Sequence, residues 1–330
     1  MQLSVVVPTL NARRRLVACL DALAAVAPES EVVVVNGPSA DGTTGIVRER
    51  EDVDVLVEVA DRNVNVMRNA GIEHADGDRI AFVGQGRTVA AGWLAALADG
   101  FTGDHVHPRN HTFAEGYSLP ERSSIGAVTG PTLPTEGPAP ETRAIAGREV
   151  TYFDGFNVAF SCEALDGLDG FDEYLETGGS RDLAHRLAAA GYDVAWRDGM
   201  AVRRGVKAPQ RGDPGTPVPH ALSDGGQAER DWYWKYRALA YRLVKNYGLR
   251  PTTARRLLSH AGSDAAAELR DIVSGEATPS GWAATGRDVI TGTARGQAGG
   301  VLARWRDRGR RNPRGVSSRS DRAVAVYDRR

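Results

Sequence analysis

Two unbroken runs of apolar residues, LSVVVP at 3–8 and EVVVVN at 31–36, stand at the head of the chain. A strand with one wet face alternates apolar and polar positions, whereas continuous β-branched runs bounded by turn residues belong to strands buried on both faces of a parallel sheet. Between the two runs Leu16, Leu20 and Leu23 recur at helical spacing. The turn cluster GPSADGT follows, then a helix carrying Ile46 and Val47, the strand DVLVEV (54–59), a helix in RNVNVMRNAGIEHA ending near Gly77, and the strand RIAFV (79–83). This alternation of strand and helix predicts an open, doubly wound, mostly parallel α/β sheet that binds ligands at the carboxyl ends of its strands.

The rhythm breaks at 102–150, which is rich in Gly, Pro, Thr and His around one strand, SIGAVTG (124–130). Patterning resumes with VTYFDGFNVAF (150–160), a helix from about Arg181 to Ala190 closed by Gly191, and the strands YDVAW (192–196) and MAVRRGV (200–206). Residues 208–227 are dense in Pro and Gly and read as a linker. Beyond it ERDWYWKYRALAYRLVKNYG predicts a helix capped by Gly248, followed by shorter helices and an Arg-rich tail. The expected division is thus an α/β domain at 1–207, a linker at 208–227, and a basic helical extension at 228–330.

The formal charge of -1 hides an asymmetry: residues 229–330 hold 21 Lys and Arg against 10 Asp and Glu, a net +11, which leaves -12 for residues 1–228. A basic extension on an acidic body suggests an anionic partner surface or a solvated basic face. Lysine occurs only at 207, 235 and 245, so the preference for Arg reads first as codon bias of a GC-rich genome. Cys19 and Cys162 form no C-x-x-C pattern, which argues for a reducing compartment without disulfides or thiolate zinc. No apolar leader precedes the first strand, and no apolar run reaches the roughly 18 residues of a membrane span. The expected location is cytoplasmic, with peripheral attachment at the inner face of the cell membrane as one use of the basic charge.

The segments SVVVPTLN, VVVVNGPSADGT, MRNAGIEHADGDRIAFVGQG, FDGFNVAF and DGFDEYLETGGSRDLAHRL occur in the order and spacing of family 2 glycosyltransferases, which the chain resembles over about residues 1–205. The resemblance implies the GT-A nucleotide-diphospho-sugar transferase fold, a nucleotide-sugar donor and inverting transfer to a hydroxyl acceptor. It carries over donor roles to Pro8 and Thr9 at the first strand end, to Asn11 as cap of the next helix, and to Arg68 of the RN pair that continues with Asn69. Arg68 reads equally as a tie between helix and sheet. Asn36 replaces the carboxylate that accepts a uracil N–H in relatives and offers only an amide oxygen; Asn36-Gly37-Pro38 also reads as a plain tight turn. Asn157, Phe171, Asp172 and Glu173 match the acceptor side, and Trp93 matches an aromatic that is more often core.

Three departures concern the chemistry. Gly84-Gln85-Gly86 stands where relatives carry D-x-D, whose carboxylates hold the usual Mg2+ or Mn2+ against the diphosphate, so the side-chain ligands for that cofactor are missing. The His expected after MAVRRGV is absent, with Arg203 and Arg204 in its neighbourhood. Gly179-Ser180 replaces the E-D pair that supplies the base, which leaves Asp182 either as a substitute base or as a complement to the helix dipole. Two accounts follow. In one, a metal-independent transferase neutralises the diphosphate through Arg87, Arg203 and Arg204, with Gln85 beside them; in the other, an inactive GT-A-fold protein binds or scaffolds without transferring.

Asp104, His105, His107 and His111 form either a metal cluster or a surface loop. The aromatic and basic helix with Trp232, Tyr233, Trp234, Tyr236 and Tyr241 suits a membrane interface or docking on the body, and the tail at 301–330 adds ten Arg against three Asp. No nucleic-acid-binding motif accompanies that charge. The arrangement is also similar to archaeal hexosyltransferases of protein N-glycosylation, which implies a lipid-linked sugar acceptor and an anionic membrane surface as partners.

Overall fold

A computed structural model describes residues 1–102, 124–134, 140–205, 232–273, 279–306 and 312–330. The linker at 208–227 and the His cluster at 104–111 lie outside the described residues. In chain order the elements are β1 (Leu3–Thr9), α1 (Arg13–Val26), β2 (Glu31–Asn36), α2 (Thr43–Arg48), β3 (Val55–Val59), α3 (Val64–Glu73), β4 (Arg79–Val83), β5 (Arg87–Val89), α4 (Trp93–Thr102), β6 (Ile125–Thr129) and β7 (Thr132–Leu133). Next come β8 (Thr142–Ile145), β9 (Arg148–Thr151), β10 (Asn157–Ser161), α5 (Cys162–Leu168), α6 (Gly179–Ala190), β11 (Asp193–Trp196) and β12 (Val202–Arg204). Then α7 (Trp232–Tyr247), α8 (Pro251–Val273), α9 (Pro279–Arg306) and β13 (Ala323–Asp328) complete the described chain.

The main sheet runs β11-β6-β10-β4-β1-β2-β3-β13. Its centre is parallel, β4 and β2 flanking β1 with β3 beyond, while β10 is antiparallel to β4 and β6. The period of two in a strand sends Val5 and Val7 to one face, among Leu16, Leu20 and Trp93, and Val6 to the other, among Met67, Phe82, Phe160 and Phe171. Both faces are therefore covered, which is why the opening runs contain no polar alternation. The expected strand at 150–160 is two strands, β9 and β10, separated by the turn that holds Asp154. A small sheet, β5-β12-β7, lies beside the carboxyl end of β4.

The basic extension is built into this body. On α7, Tyr236, Tyr241, Leu243 and Val244 are buried, so the helix docks on the body through these two rings, as the second of its two readings expects, while Trp232, Tyr233 and Trp234 are half-buried. α9 runs along α7 with Gly292, Gly296 and Gly300 against it; a Cβ at these positions would meet the carbonyls of Tyr233, Arg237 and Tyr241, so side chains there would push the helices apart. The end of the tail returns to the main sheet as β13, antiparallel to β3. Arg322 is buried against Glu73 and Glu173, and Arg330 meets Glu31, Asp76 and Asp328. Much of the positive charge at 312–330 thus answers acids of the N-terminal body.

Candidate active site

At the carboxyl end of β1 the Gln85 Oε1 accepts from Thr9 Oγ1 at 2.9 Å and from the Leu10 N–H at 2.8 Å. Gln85 therefore locks the end of β4 to the end of β1, and Pro8 and Thr9 are buried there. Asn36, also buried, donates to Thr44 Oγ1 at 2.9 Å and accepts from Ser39 Oγ at 2.7 Å, so its amide organises the turn after β2. Asn11 does not cap α1, whose first residue is preceded by Ala12 without a side-chain cap. With φ +47 it accepts instead from the Ala40 N–H at 2.8 Å and ties the two turns together.

The side chain missing at Gly84 has been replaced sterically: a Cβ there would lie 2.9 Å from Phe156 Cβ. Just beyond, Arg87 on β5 is only 8% exposed. Its Nη2 donates to Asp154 Oδ2 at 3.0 Å, and its buried Nη1 has no hydrogen-bond partner among the described residues. Burial draws the Arg87 guanidinium below its ordinary pKa, Asp154 opposing and Arg204 adding to the effect. Arg204 sits opposite Arg87 in the β5–β12 register, Arg203 opposite Thr88, and both are exposed. The Gly205 N–H donates to Gly86 O at 2.9 Å and fastens this pair of strands to the corner, while the stem of Arg15 passes alongside Gly86.

Asp154, 30% exposed at its side chain, is the carboxylate of this corner. It also accepts from Thr132 Oγ1 at 2.9 Å and, through Oδ1, from the Phe156 N–H at 3.0 Å. These residues do not fit a divalent cation: Gly84 and Gly86 offer no ligand, the Gln85 oxygen already accepts twice, and both Asp154 oxygens are engaged. Among the described residues no group of three His, Cys, Asp or Glu converges as a metal site.

The expected base and acceptor side chains turn inward. Asp182 has no exposure; Arg186 Nε reaches it at 2.8 Å, Lys245 Nζ at 2.9 Å and Asn246 Nδ2 at 2.9 Å. Burial alone would push its carboxyl up, but Lys245 and Arg186 outweigh burial and hold it well below the usual carboxylate range. A group so sealed and so weakly basic does not collect a substrate proton, which corrects its assignment as base. Asp172 shares Lys245 at 2.5 Å and accepts from Tyr241 Oη at 2.8 Å, also without exposure. Phe171 is core, and Glu173 binds Asn69 at 2.8 Å together with Arg319 and Arg322. Asn157 is spent on Trp93 Nε1 and the carbonyls of Gly130 and Met200. None of these four faces an acceptor pocket.

Arg68 is likewise a strut. It is fully buried, donates to Asn65 Oδ1 at 3.1 Å and Gly155 O at 2.8 Å, and lies over the rings of Phe156 and Phe171. At Gly179 the volume of a side chain is taken by Asn65, and Arg242 Nη1 stands 2.7 Å from where a Gly178 Cβ would be. Sequence reasoning missed Asp154, whose only local signal was its place before the FN of FDGFN. It also missed Lys245, which meets Asp182 across 63 residues and left no local signal.

The family model for glycosyl transferase family 2 matches residues 4–168. In structure the chain is similar to the mannosyltransferase PcManGT from Pyrobaculum calidifontis, solved in complex with GDP-Man and Mn2+, at 18% identity and TM-score 0.52 over 93% of this chain and 88% of that one. It also aligns with S. aureus TarS at 16% identity and TM-score 0.49, over 78% of this chain and 42% of that one. No curated protein sequence matches.

Proposed function

The chain belongs to glycosyl transferase family 2, and on that premise we propose that it transfers a sugar with inversion from a nucleotide-diphosphate donor to a hydroxyl acceptor, with arginines in the place of a metal ion. The observation that carries this reading is Arg87, a nearly buried guanidinium at the carboxyl end of β4 whose Nη1 has no partner among the described residues. A buried donor left without an acceptor costs on the order of 1–3 kcal/mol, and a phosphate oxygen at this corner satisfies it. Arg203 and Arg204 on the neighbouring strand add the charge that the leaving diphosphate requires, through bidentate bonds that a carboxylate-held ion supplies elsewhere.

The reaction is a single displacement. The acceptor oxygen forms its bond to the anomeric carbon as the bond from that carbon to the phosphate oxygen breaks, and the nucleotide diphosphate leaves with the electron pair. Asp154 takes the acceptor proton, being the carboxylate at this corner that solvent reaches. Arg87 links the two roles, because a phosphate that draws it away from Asp154 leaves Oδ2 of that carboxylate with the Thr132 hydroxyl and room for the acceptor proton. A UDP-sugar is the first donor to test, with GDP-mannose, the donor bound by the Pyrobaculum calidifontis protein, as the second. A lipid-linked sugar is the acceptor class this reading favours, since α7, the first of the basic C-terminal helices, packs on α6 and carries α8 and α9 with it.

The test is nucleotide release from these donors with an acceptor panel in excess EDTA. Turnover should persist. Complete loss on chelation, restored by Mn2+, overturns the arginine account, and calorimetric binding of UDP without turnover across the panel overturns the assignment of transfer through this corner.

A further inference from the structure

We propose that the outward face of α9 docks on an anionic lipid surface. The glycines of α9 fix that helix against α7, so the opposite face cannot turn inward. On that opposite face stand Ile290 (70% exposed), Ala294, Ala298, Val301, Leu302 and Trp305 (80% exposed). At 100° per residue these six fall within about 120° of the helix and extend for about 22 Å along it, with exposed Thr291 as the one polar side chain between Ile290 and Trp305 in that arc. An exposed apolar stripe of this length is a contact surface and not a random scatter of exposed residues.

The chemistry around the stripe selects the occupant. Exposed Arg295 and Arg306 line one edge of it and exposed Arg287 stands one turn before Ile290, against a single exposed acid, Asp288, among the helix residues whose side chains are described. Gly248 lies against the side chain of Arg304, which brings the exposed Leu249 and Arg250 to the same end of α9 as Trp305. Apolar side chains bordered by arginines, with an indole at one end, match the boundary between acyl chains and anionic headgroups. No helix among the described residues is long and apolar enough to cross a membrane, so the contact lies along the surface. This surface lies apart from the donor corner, and the inference rests on no assignment of donor or acceptor.

Flotation of the full chain with phosphatidylcholine vesicles, with and without phosphatidylglycerol, tests it. The protein should float with the anionic vesicles only and release as salt rises. The double variant Leu302→Ser/Trp305→Ser should lower the bound fraction about tenfold or more while its thermal unfolding stays unchanged, because both side chains are exposed. Absence of flotation with anionic vesicles, or equal flotation with neutral ones, overturns the proposal irrespective of the variant. Sedimentation of a dimer that the double variant abolishes would assign the face to a second copy and also overturn it. Equal flotation of variant and wild type would move the contact elsewhere on the molecule.

Discussion

At Gly84 the space of a lost carboxylate is filled by Phe156, and the corner stays open, with Arg203 and Arg204 in solvent and Asp154 within its reach. At Gly179 the same loss is filled by Asn65, and Arg242 of α7 closes over the neighbouring Gly178. The two corners hold similar residue types and put them to opposite use. Charges at the open corner keep bonding capacity for a ligand. Those at the closed corner, Asp172, Asp182, Lys245 and Arg186, have used theirs on one another. A carboxylate in a transferase sequence is therefore evidence for catalysis only once its surroundings are known, and here the sealed pair served the attachment of α7.

The largest effect expected from breaking this contrast is at Lys245. Lys245→Met leaves two buried carboxylates without their shared cation and should lower stability by about 3–5 kcal/mol in denaturant titrations. A loss below about 1 kcal/mol would show that the cluster contributes little. Next, Asp154→Asn should reduce turnover about a thousandfold while nucleotide binding survives. Asp182→Asn should instead lower the unfolding midpoint and leave the folded enzyme's turnover within about threefold, the reverse of the effect of a base. If Asp182→Asn abolishes turnover at unchanged stability, the closed corner is the catalytic one.

The smallest effect is graded with pH. His185 lies beside Tyr247 Oη, at 2.8 Å from Nδ1, and burial draws its pKa down to about 3, with Arg242 adding and Asp182 opposing. The unfolded histidine binds a proton below about pH 6.5. The folded one does not until about pH 3, so the unfolded state holds the extra proton between these values. Stability is then full above the unfolded pKa and falls as pH drops, by about 1.4 kcal/mol per unit. His185→Gln should flatten this slope between pH 6.5 and 4 in urea titrations, and an unaltered slope would assign it to another group.

The parallel centre of the sheet was legible because LSVVVP and EVVVVN carry their burial in their own composition. α6 was legible from its closing Gly191. The orientation of polar residues was not: Asp172 and Asp182 read as pocket residues because their partner comes from a helix beyond the linker. β13 escaped notice because AVAVYD sits among arginines, and only the edge of β3 decides that it is a strand. At the donor corner the arginines were named from the sequence, while Asp154, held by Thr132 and Arg87 from two other strands, required the fold.

Pairing of β13 with β3 also sets an order of events during synthesis. Val55 to Val59 leave the ribosome long before their neighbour on one side, residues 323–328, is translated. Until then the edge of β3 exposes unpaired peptide groups, the condition under which strands of separate nascent chains associate. Ribosome-bound intermediates lacking β13 should consequently be the species most dependent on chaperones, and a tag that holds residues 323–330 away from the body should favour aggregation over slow maturation.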